Sequence, residues 1–434
     1  MSVFQRTENR KIGSSLNSIW IINHYAGDMY AASGGRHYYF AKHLKEMGYN
    51  PTVFCANTMH NAAGEVFFDN DDLSNESIHQ AINVPFVFVK ARPYSTNGKD
   101  RVLNMIDFYE NLMKVAKRYA KTHCKPDVIL ASSVHPLTLF AGIRLAKYFG
   151  VKCVCEIRDL WPESIVVYMQ NFNKYKVLIK LMYRGERYLY EKADSLIFTM
   201  QGGYDYICEH GWDKRIPKSK VFNINNGVDL DQFDANSRAF ITSDPDLDNE
   251  TQFNVVYAGS IRKVNNLGKL LDIAKKTELR NIRYLIWGDG DELPKLMERV
   301  STEKINNVVF KGRVDKKYIP YILTRSNLNF IHNNESPLFR YGISFNKVFD
   351  YLAAGKPIFC DFYAKYNPAV DQGAGTVCSA NDARIIASEI EKYTMLDDES
   401  IRRLCQNARI AAEKYDFRNL TQELLEVIRK TMEQ

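Results

Sequence analysis

The segment Glu335 to Lys356, ESPLFRYGISFNKVFDYLAAGK, holds the densest set of residues able to do chemistry. Ser344 reads as an N-cap, Asn346 to Ala354 as a helix, and Gly355 with Pro357 as its stop. Such a helix points free N–H groups past its start beside Gly342, which favours an anion there. Lys347 adds a cation at the helix start. Asp350 falls on the face of Asn346, four residues earlier, where a carboxylate can accept both hydroxyls of a ribose. The alternative for Asp350 is a solvated helix carboxylate.

Other strand ends carry matching signals. Tyr257-Ala258-Gly259-Ser260-Ile261-Arg262-Lys263 and Trp287-Gly288-Asp289-Gly290-Asp291-Glu292 each join a strand to glycine. Arg262 and Lys263 stand where a diphosphate would be neutralised, or are surface cations. Nearer the N-terminus, His24-Tyr25-Ala26-Gly27 and Ser33-Gly34-Gly35-Arg36 lead from a strand into a helix. Gly34 and Gly35 permit close backbone approach to an anion or a polar sugar, with Arg36 and His24 beside them, or they form a plain turn. Arg158 and Asp159 follow another strand, and either orient a sugar or brace the loop before Trp161-Pro162 as an ion pair. His24 and His332 are bases only if they escape the commoner fate of a hydrogen-bonded core histidine. Neither GxGxxG nor GxxxxGK[ST] occurs at these turns, which disfavours a dehydrogenase and a P-loop ATPase. Asp229-x-Asp231, Asp246-x-Asp248 and Asp289-x-Asp291 are unrelated turns, and no catalytic metal is expected.

These loops need elements to hold them. Strands are expected at Ser18–Asn23, Thr52–Ala56, Pro85–Lys90, Asp127–Ala131, Lys152–Ile157, Ser195–Thr199 and Val221–Ile224. Helices are expected at Gly35–Met47, Leu103–His123 and Leu137–Tyr148. The polar stretch Asp234 to Gln252 reads as a linker. Beyond it come strands at Asn254–Ala258, Arg283–Trp287, Asn307–Phe310, Leu328–Ile331 and Pro357–Cys360, and three helical stretches after Asp382. This rhythm predicts an α/β chain of two Rossmann-like domains facing each other across a cleft. The expected bounds are a mobile tail 1–17, an N-terminal Rossmann-like domain 18–233, a linker 234–252, a C-terminal Rossmann-like domain 253–415, and a C-terminal helix 416–434 packing back toward the N-terminal domain.

Composition narrows the rest. The chain has 434 residues, 45% hydrophobic and 25% charged, which is ordinary for a globular protein. No apolar run is long enough to span a bilayer, and the polar N-terminus resembles no secretory signal, so a cytoplasmic protein is expected. A net charge of +7 is too mild to predict nucleic-acid binding. The eight cysteines read as free thiols; Cys153 and Cys155 share one strand face. Lys114, Lys117, Arg118, Lys121 and Lys125 form one helical face. Lys176, Lys180, Arg184 and Arg187 form another, with Val177, Leu178, Leu181, Met182 and Leu189 expected opposite. Both fit either contact with an anionic membrane surface or solvated faces. Tyr175, Tyr183, Tyr188 and Tyr190 lie around the second.

The chain resembles the glycosyltransferase group 1 family (family 4, retaining, GT-B fold) along almost its whole length. The resemblance runs through SGGRHYYFAKHLKEMGYNPTVF, ERYLYEKADSLIF, INNGVDLDQF, YAGSI, IWGDGDEL, FNKVFDYLAAGKPI and NARIAAEKYDFRNL, in family order. EIRDLWPES is similar to a bacterial subgroup related to N-acetyl-L-fucosaminyl transferases of O-antigen and capsule assembly. The resemblance implies retaining, metal-independent transfer from a nucleotide-sugar, with UDP the commoner carrier, to a glycan or polyprenyl-linked acceptor. The nucleotide-sugar is then a substrate held by domain 253–415, the acceptor lies on domain 18–233 with Gly34, Gly35, Arg36 and His24 on the acceptor or phosphate side, and no cofactor is needed. Arg158, Asp159, Arg262 and Lys263 would be catalytic, and Gly259, Gly288, Gly342, Ser344, Asn346, Lys347 and Asp350 would bind the donor. Asp350 stands at the second glutamate of the family's E-x7-E motif, but the first position falls on Gly342. Glu335 or backbone N–H groups around Gly342 are the substitutes at hand. Arg158 replaces the family's usual histidine, and the family's phosphate-binding Arg and Lys are displaced. A nucleotide-sugar 2-epimerase of the same fold, or a non-catalytic nucleotide-sugar-binding subunit, are the competing readings.

Overall fold

The structure is a computed structural model that describes residues 16–59, 65–68, 71–95, 98–133, 135–167, 169 and 172–434, the side chains of 172–174 excepted. The expected mobile tail therefore lies, over residues 1–15, outside the described residues.

Two sheets carry the fold. The first holds β1 (Ser18–Ile22), β2 (Asn50–Ala56), β3 (Ser74–His79), β4 (Val84–Val89), β5 (Val128–Ser133), β6 (Lys152–Ile157), β7 (Ser195–Phe198) and β8 (Val221–Asn223), in spatial order 3-4-2-1-5-6-7-8. The pairs β1–β2, β1–β5, β2–β4 and β7–β8 are parallel, and β3–β4 is antiparallel. The second holds β9 (Phe253–Ala258), β10 (Ile282–Trp287), β11 (Val308–Gly312), β12 (Leu328–Ile331), β13 (Ile358–Cys360) and β14 (Gly375–Val377), in order 11-10-9-12-13-14, all parallel. Strands that read as unbroken apolar runs, such as Ile19–Ile22, are fully buried, because helices cover both faces of a parallel sheet. Both sheets are thus Rossmann-like, as the rhythm predicted. The chain divides into two compact units, residues 1–155 (with 434) and 156–433, the boundary falling inside β6.

In the second sheet Val255, Tyr257, Ile286, Phe330 and Phe359 make a core with Leu270, Leu271, Ile386 and Ile390 from the flanking helices. The strand order reverses between β9 and β12, and a crevice forms at the carboxyl ends of strands where order reverses. The three closing helices are Ala383–Glu391, Asp398–Lys414 and Phe417–Glu433. The last is pinned to β7 through Thr431 Oγ1 and Ser195 Oγ, 2.7 Å apart.

Some elements differ from expectation. The helix Leu230–Ala239 runs into the expected linker. Asp229 caps it by accepting from Gln232 N at 2.8 Å, and Leu230 and Phe233 are buried, which outweighs the polar composition. The strands β3 and β14 are not among the expected strands, and the helix Ala26–Ala31 begins inside the expected turn His24-Tyr25-Ala26-Gly27. In the helix Phe172–Lys192, Leu189 is buried as expected, but Val177, Leu178 and Leu181 face solvent at 77, 55 and 54% exposure.

Candidate functional site

A cavity of about 880 Å³ opens at the carboxyl ends of β9, β10 and β11 and the start of helix Asn346–Ala353, walled on the other side by residues following β6, β7 and β8. The whole lining belongs to the unit 156–433. It brings together Arg158, Asp159, Gly259, Arg262, Gly288, Ser344, Asn346, Lys347 and Asp350, residues spread over nearly two hundred positions of sequence. Lys263 is not among the lining residues. It opens a short 3-10 turn, Lys263–Asn265, directly after Arg262.

The floor is built by glycine. Gly259 N donates to Trp287 O at 3.0 Å, and a Cβ on Gly288 would stand 1.8 Å from Gly259 O, so the ends of β9 and β10 meet as only glycine allows. Lys347 crosses this floor: its Nζ lies 3.1 Å from Tyr257 Oη and 4.4 Å from that ring's centroid. Burial pushes its ammonium down to about 8. Asp350, one turn further, is half-buried. Burial raises its carboxyl above the usual range, opposed by Lys316 on the cavity rim.

Helix Asn346–Ala353 starts at Phe345 with no side-chain cap, so its first-turn N–H groups face the cavity side uncapped. The expected N-cap role of Ser344 is corrected here. Its hydroxyl is held by Asn225 Oδ1 at 2.5 Å and accepts from Asn226 N at 3.1 Å, while Ser344 O accepts from Asn226 Nδ2 at 2.7 Å. The INNGVD segment therefore clamps the entry to the helix and leaves its N-terminus open to an anion.

The loop carrying Arg262 is fixed from two sides. Asn265 Oδ1 accepts from Ser260 Oγ at 2.9 Å and from Arg262 N at 3.4 Å. His332 Nε2 lies 3.0 Å from Asn266 O, and its Nδ1 lies 2.6 Å from Asp361 Oδ2. His332 is buried, so it braces the loop and does not face ligand. Arg158 is half-buried and Asp159 exposed, with Arg158 O accepting from Thr199 Oγ1 at 3.3 Å.

Gly342 lines a smaller neighbouring cavity of about 150 Å³ together with Arg158, Asp159 and Ser344. Its φ of +100° disfavours any side chain, and Tyr366 Cβ and Lys365 O crowd the place of a Cβ at 3.2 and 3.4 Å. A glutamate does not fit this backbone, which accounts for the departure at that position. Glu335 is exposed and lines neither cavity.

The remaining candidates lie in the unit 1–155. Gly35, at φ +111°, starts helix Arg36–Glu46, and Gly34 packs against Tyr39. Arg36 is buried over the Phe40 ring, 4.6 Å to its centroid. His24 is fully buried, its Nδ1 3.0 Å from His135 Nε2.

The D-x-D turns each have structural partners. Asp229 caps a helix, Asp231 pairs with Arg418 at 3.1 Å, Asp246 pairs with Lys311 at 2.5 Å, and Asp289 Oδ1 accepts from Gly290 N at 2.8 Å.

Sequence reasoning missed Thr199, Asn226, Arg313, Asp315 and Lys316, which also line the cavity. The signal for the last three was present: β11 ends in Gly312 just before Arg313, much as β9 runs into Gly259. Asn226 lay inside a segment already singled out by resemblance.

Comparison with known proteins bears on the fold that carries this site. The model of the Glycosyltransferase Family 4 family matches residues 36–232, and that of Glycosyl transferases group 1 matches residues 241–411. No curated protein sequence matches the chain. Among solved structures, sucrose-phosphate synthase from Thermosynechococcus elongatus is similar at 17% identity and TM-score 0.68, covering 95% of this chain and 98% of that one. The Anabaena protein HepE in complex with UDP-glucose gives 15% and 0.63 over 95% and 99%. The trehalose 6-phosphate synthase of Burkholderia multivorans gives 13% and 0.68 over 96% and 98%. At such identities these likenesses establish the fold. Together with the two family matches they identify the chain as a GT-B-type glycosyltransferase, built of a family 4 domain followed by a group 1 domain.

Proposed function

We propose that the protein is a retaining, metal-independent glycosyltransferase that moves a sugar from a UDP-linked donor to a glycan or polyprenyl-linked glycan in bacterial surface-polysaccharide assembly. The observation that carries the donor site is the convergence of Lys347, Arg262 and an uncapped helix N-terminus on one cavity, one helical turn from Asp350. In this reading the cations and helix N–H groups take the diphosphate, whose negative charge grows as the sugar–phosphate bond breaks. Asp350 accepts the ribose hydroxyls, with Gly259 and Gly288 allowing close approach. Gly342, Ser344 and Asn346 shape the donor-sugar side, and Arg158 with Asp159 orients the sugar. Lys263 supplies long-range positive charge. The acceptor hydroxyl attacks from the face the phosphate leaves, and the departing phosphate oxygen takes its proton, so no protein nucleophile is required. Gly34, Gly35, Arg36 and His24 belong to the acceptor side of this proposal, where His24, being fully buried, acts through packing. UDP is preferred because the Anabaena relative binds UDP-glucose. The subgroup wording of RDLWPE points to surface polysaccharide.

The test is calorimetric titration of UDP, GDP, ADP and NAD into the wild type and Asp350→Ala. UDP should bind, and the variant should bind at least about tenfold more weakly, the worth of a charge-assisted hydrogen bond at about 1.5–3 kcal/mol. Equal binding by the variant removes the ribose assignment. Nucleotide binding without turnover on any acceptor would favour a binding-only subunit, and an epimerised nucleotide-sugar formed without acceptor would favour the 2-epimerase.

A further inference from the structure

Two helices of this chain carry rows of lysine and arginine, and the structure separates them. In helix Lys99–Thr122 the apolar residues Phe108, Leu112 and Val115 are buried, Arg118 donates to Ser74 Oγ, and Lys117 lies over the Tyr148 ring. Its exposed apolar residues, Val102 and Ile106, lie at the end away from those cations. That is an ordinary surface helix.

Helix Phe172–Lys192 is different. It packs inward through Ile179, Glu186, Leu189 and Tyr190, all buried. Its opposite face carries Val177, Leu181 and Tyr188, at 77, 54 and 48% exposure, with Leu178 beside them at 55%. At about 100° per residue Val177, Leu181 and Tyr188 fall within about 40° of one another. Lys176, Lys180, Arg184 and Arg187 form the adjoining row. The one carboxylate of that row, Glu191, is engaged by Arg187 at 3.3 Å and Arg215 at 3.6 Å. Four large apolar side chains held in water beside a row of cations cost stability in a free protein, and match a surface that is apolar below and anionic above.

We propose that the outward face of helix Phe172–Lys192 docks on an anionic phospholipid bilayer, Val177, Leu178 and Leu181 entering the acyl boundary and Lys176, Lys180 and Arg184 meeting the headgroup phosphates. Long basic side chains reach the headgroups while their stems cover apolar surface, and the amphipathic ring of Tyr188 suits the same depth. Charge disfavours the simplest competitor: a second copy laid antiparallel on the same face would set these cation rows beside each other. The inference stands apart from the donor-site assignment, since it concerns a different face and is read without nucleotide.

The experiment is co-sedimentation of the full chain with vesicles of phosphatidylcholine, with and without phosphatidylglycerol. Binding is expected only with the anionic lipid and should fall with salt. The double variants Val177→Ser/Leu181→Ser and Lys176→Glu/Lys180→Glu should each weaken it by about tenfold or more. Lys114→Glu/Lys121→Glu, on the ordinary helix, should change it by less than about twofold. The thermal midpoint, measured alongside, should not fall in any of these surface variants. The proposal is overturned if the wild type ignores anionic vesicles, if Val177→Ser/Leu181→Ser and Lys176→Glu/Lys180→Glu bind as well as the wild type, or if Val177→Ser/Leu181→Ser turns a dimer into a monomer without changing lipid binding.

Discussion

Lys347 lies under two opposing influences. Burial on the glycine floor disfavours its charge and pushes it down to about 8, while the Tyr257 ring face favours the cation. In the unliganded protein the ammonium is therefore present at neutral pH and lost as pH rises through about 8. If a diphosphate binds against it, UDP affinity should be flat from about pH 7 downward to where the diphosphate itself takes a proton, and fall by up to about tenfold per unit above about pH 8. Lys347→Met should bind UDP more weakly at pH 7 and show no such slope. Calorimetry from neutral to alkaline pH checks both, and a wild-type profile identical to the variant's removes Lys347 from the diphosphate site. Residues of this kind were legible in the sequence because a glycine or a helix start beside a strand end marks a ligand-facing position whatever the fold around it. Ser344 was misread for a related reason. A serine before a helix is a good cap in isolation, and only the folded chain brings Asn225 and Asn226 to its hydroxyl.

At the scale of elements, the helix that carries Lys347 and Asp350 is fixed in height by one buried phenol. Tyr351 Oη accepts from Ala258 N at 2.9 Å, tying the helix to the last residue of β9, next to Gly259. Tyr351→Phe leaves that buried N–H without its partner and should cost about 1–3 kcal/mol in urea unfolding. It should also weaken UDP binding, because the helix N-terminus is no longer held against the floor. A variant with unchanged stability would show that the bond is dispensable. Strands were the most readable elements: β6 and β12 coincide with their apolar runs, since a strand buried on both faces has little choice of composition. The short strand β14 and the polar β3 were invisible because pairing with a neighbour makes them strands, not their own residues. The outward turn of Val177 and Leu181 was equally hidden, as helical periodicity gives faces but not which face meets the core.

For the molecule as a whole, two buried groups set opposite pH limits. In the unit 156–433, Glu186 is buried and accepts from Tyr190 Oη and Tyr206 Oη, each at 2.7 Å. Burial raises its carboxyl to about 8, against the lowering effect of the two phenols. A raised folded value means that its contribution is complete below the ordinary carboxylate range and is lost as pH climbs through about 8. In the unit 1–155, burial, with Arg101 nearby, lowers His135 to about 3. Its contribution is complete above the ordinary imidazole range and is lost as pH falls toward about 3. Thermal midpoints should therefore decline on both the acid and the alkaline side. Glu186→Gln should flatten the alkaline limb alone, and His135→Gln the acid limb. An alkaline limb of unchanged slope in Glu186→Gln would show that another group sets it.

The antiparallel strand β3 has one more consequence. Without it the first sheet would end at β4, Val84–Val89, whose Val84, Phe86, Val87, Phe88 and Val89 are all buried. Such a strand at a free margin is a template on which another chain can add its own backbone. The segment SNESIH, folded back on β4 with Asn75, Glu76 and Ile78 turned to water, occupies that margin with side chains poorly suited to fibril growth. Solubility during folding is thus guarded by the strand whose sequence looks least like one.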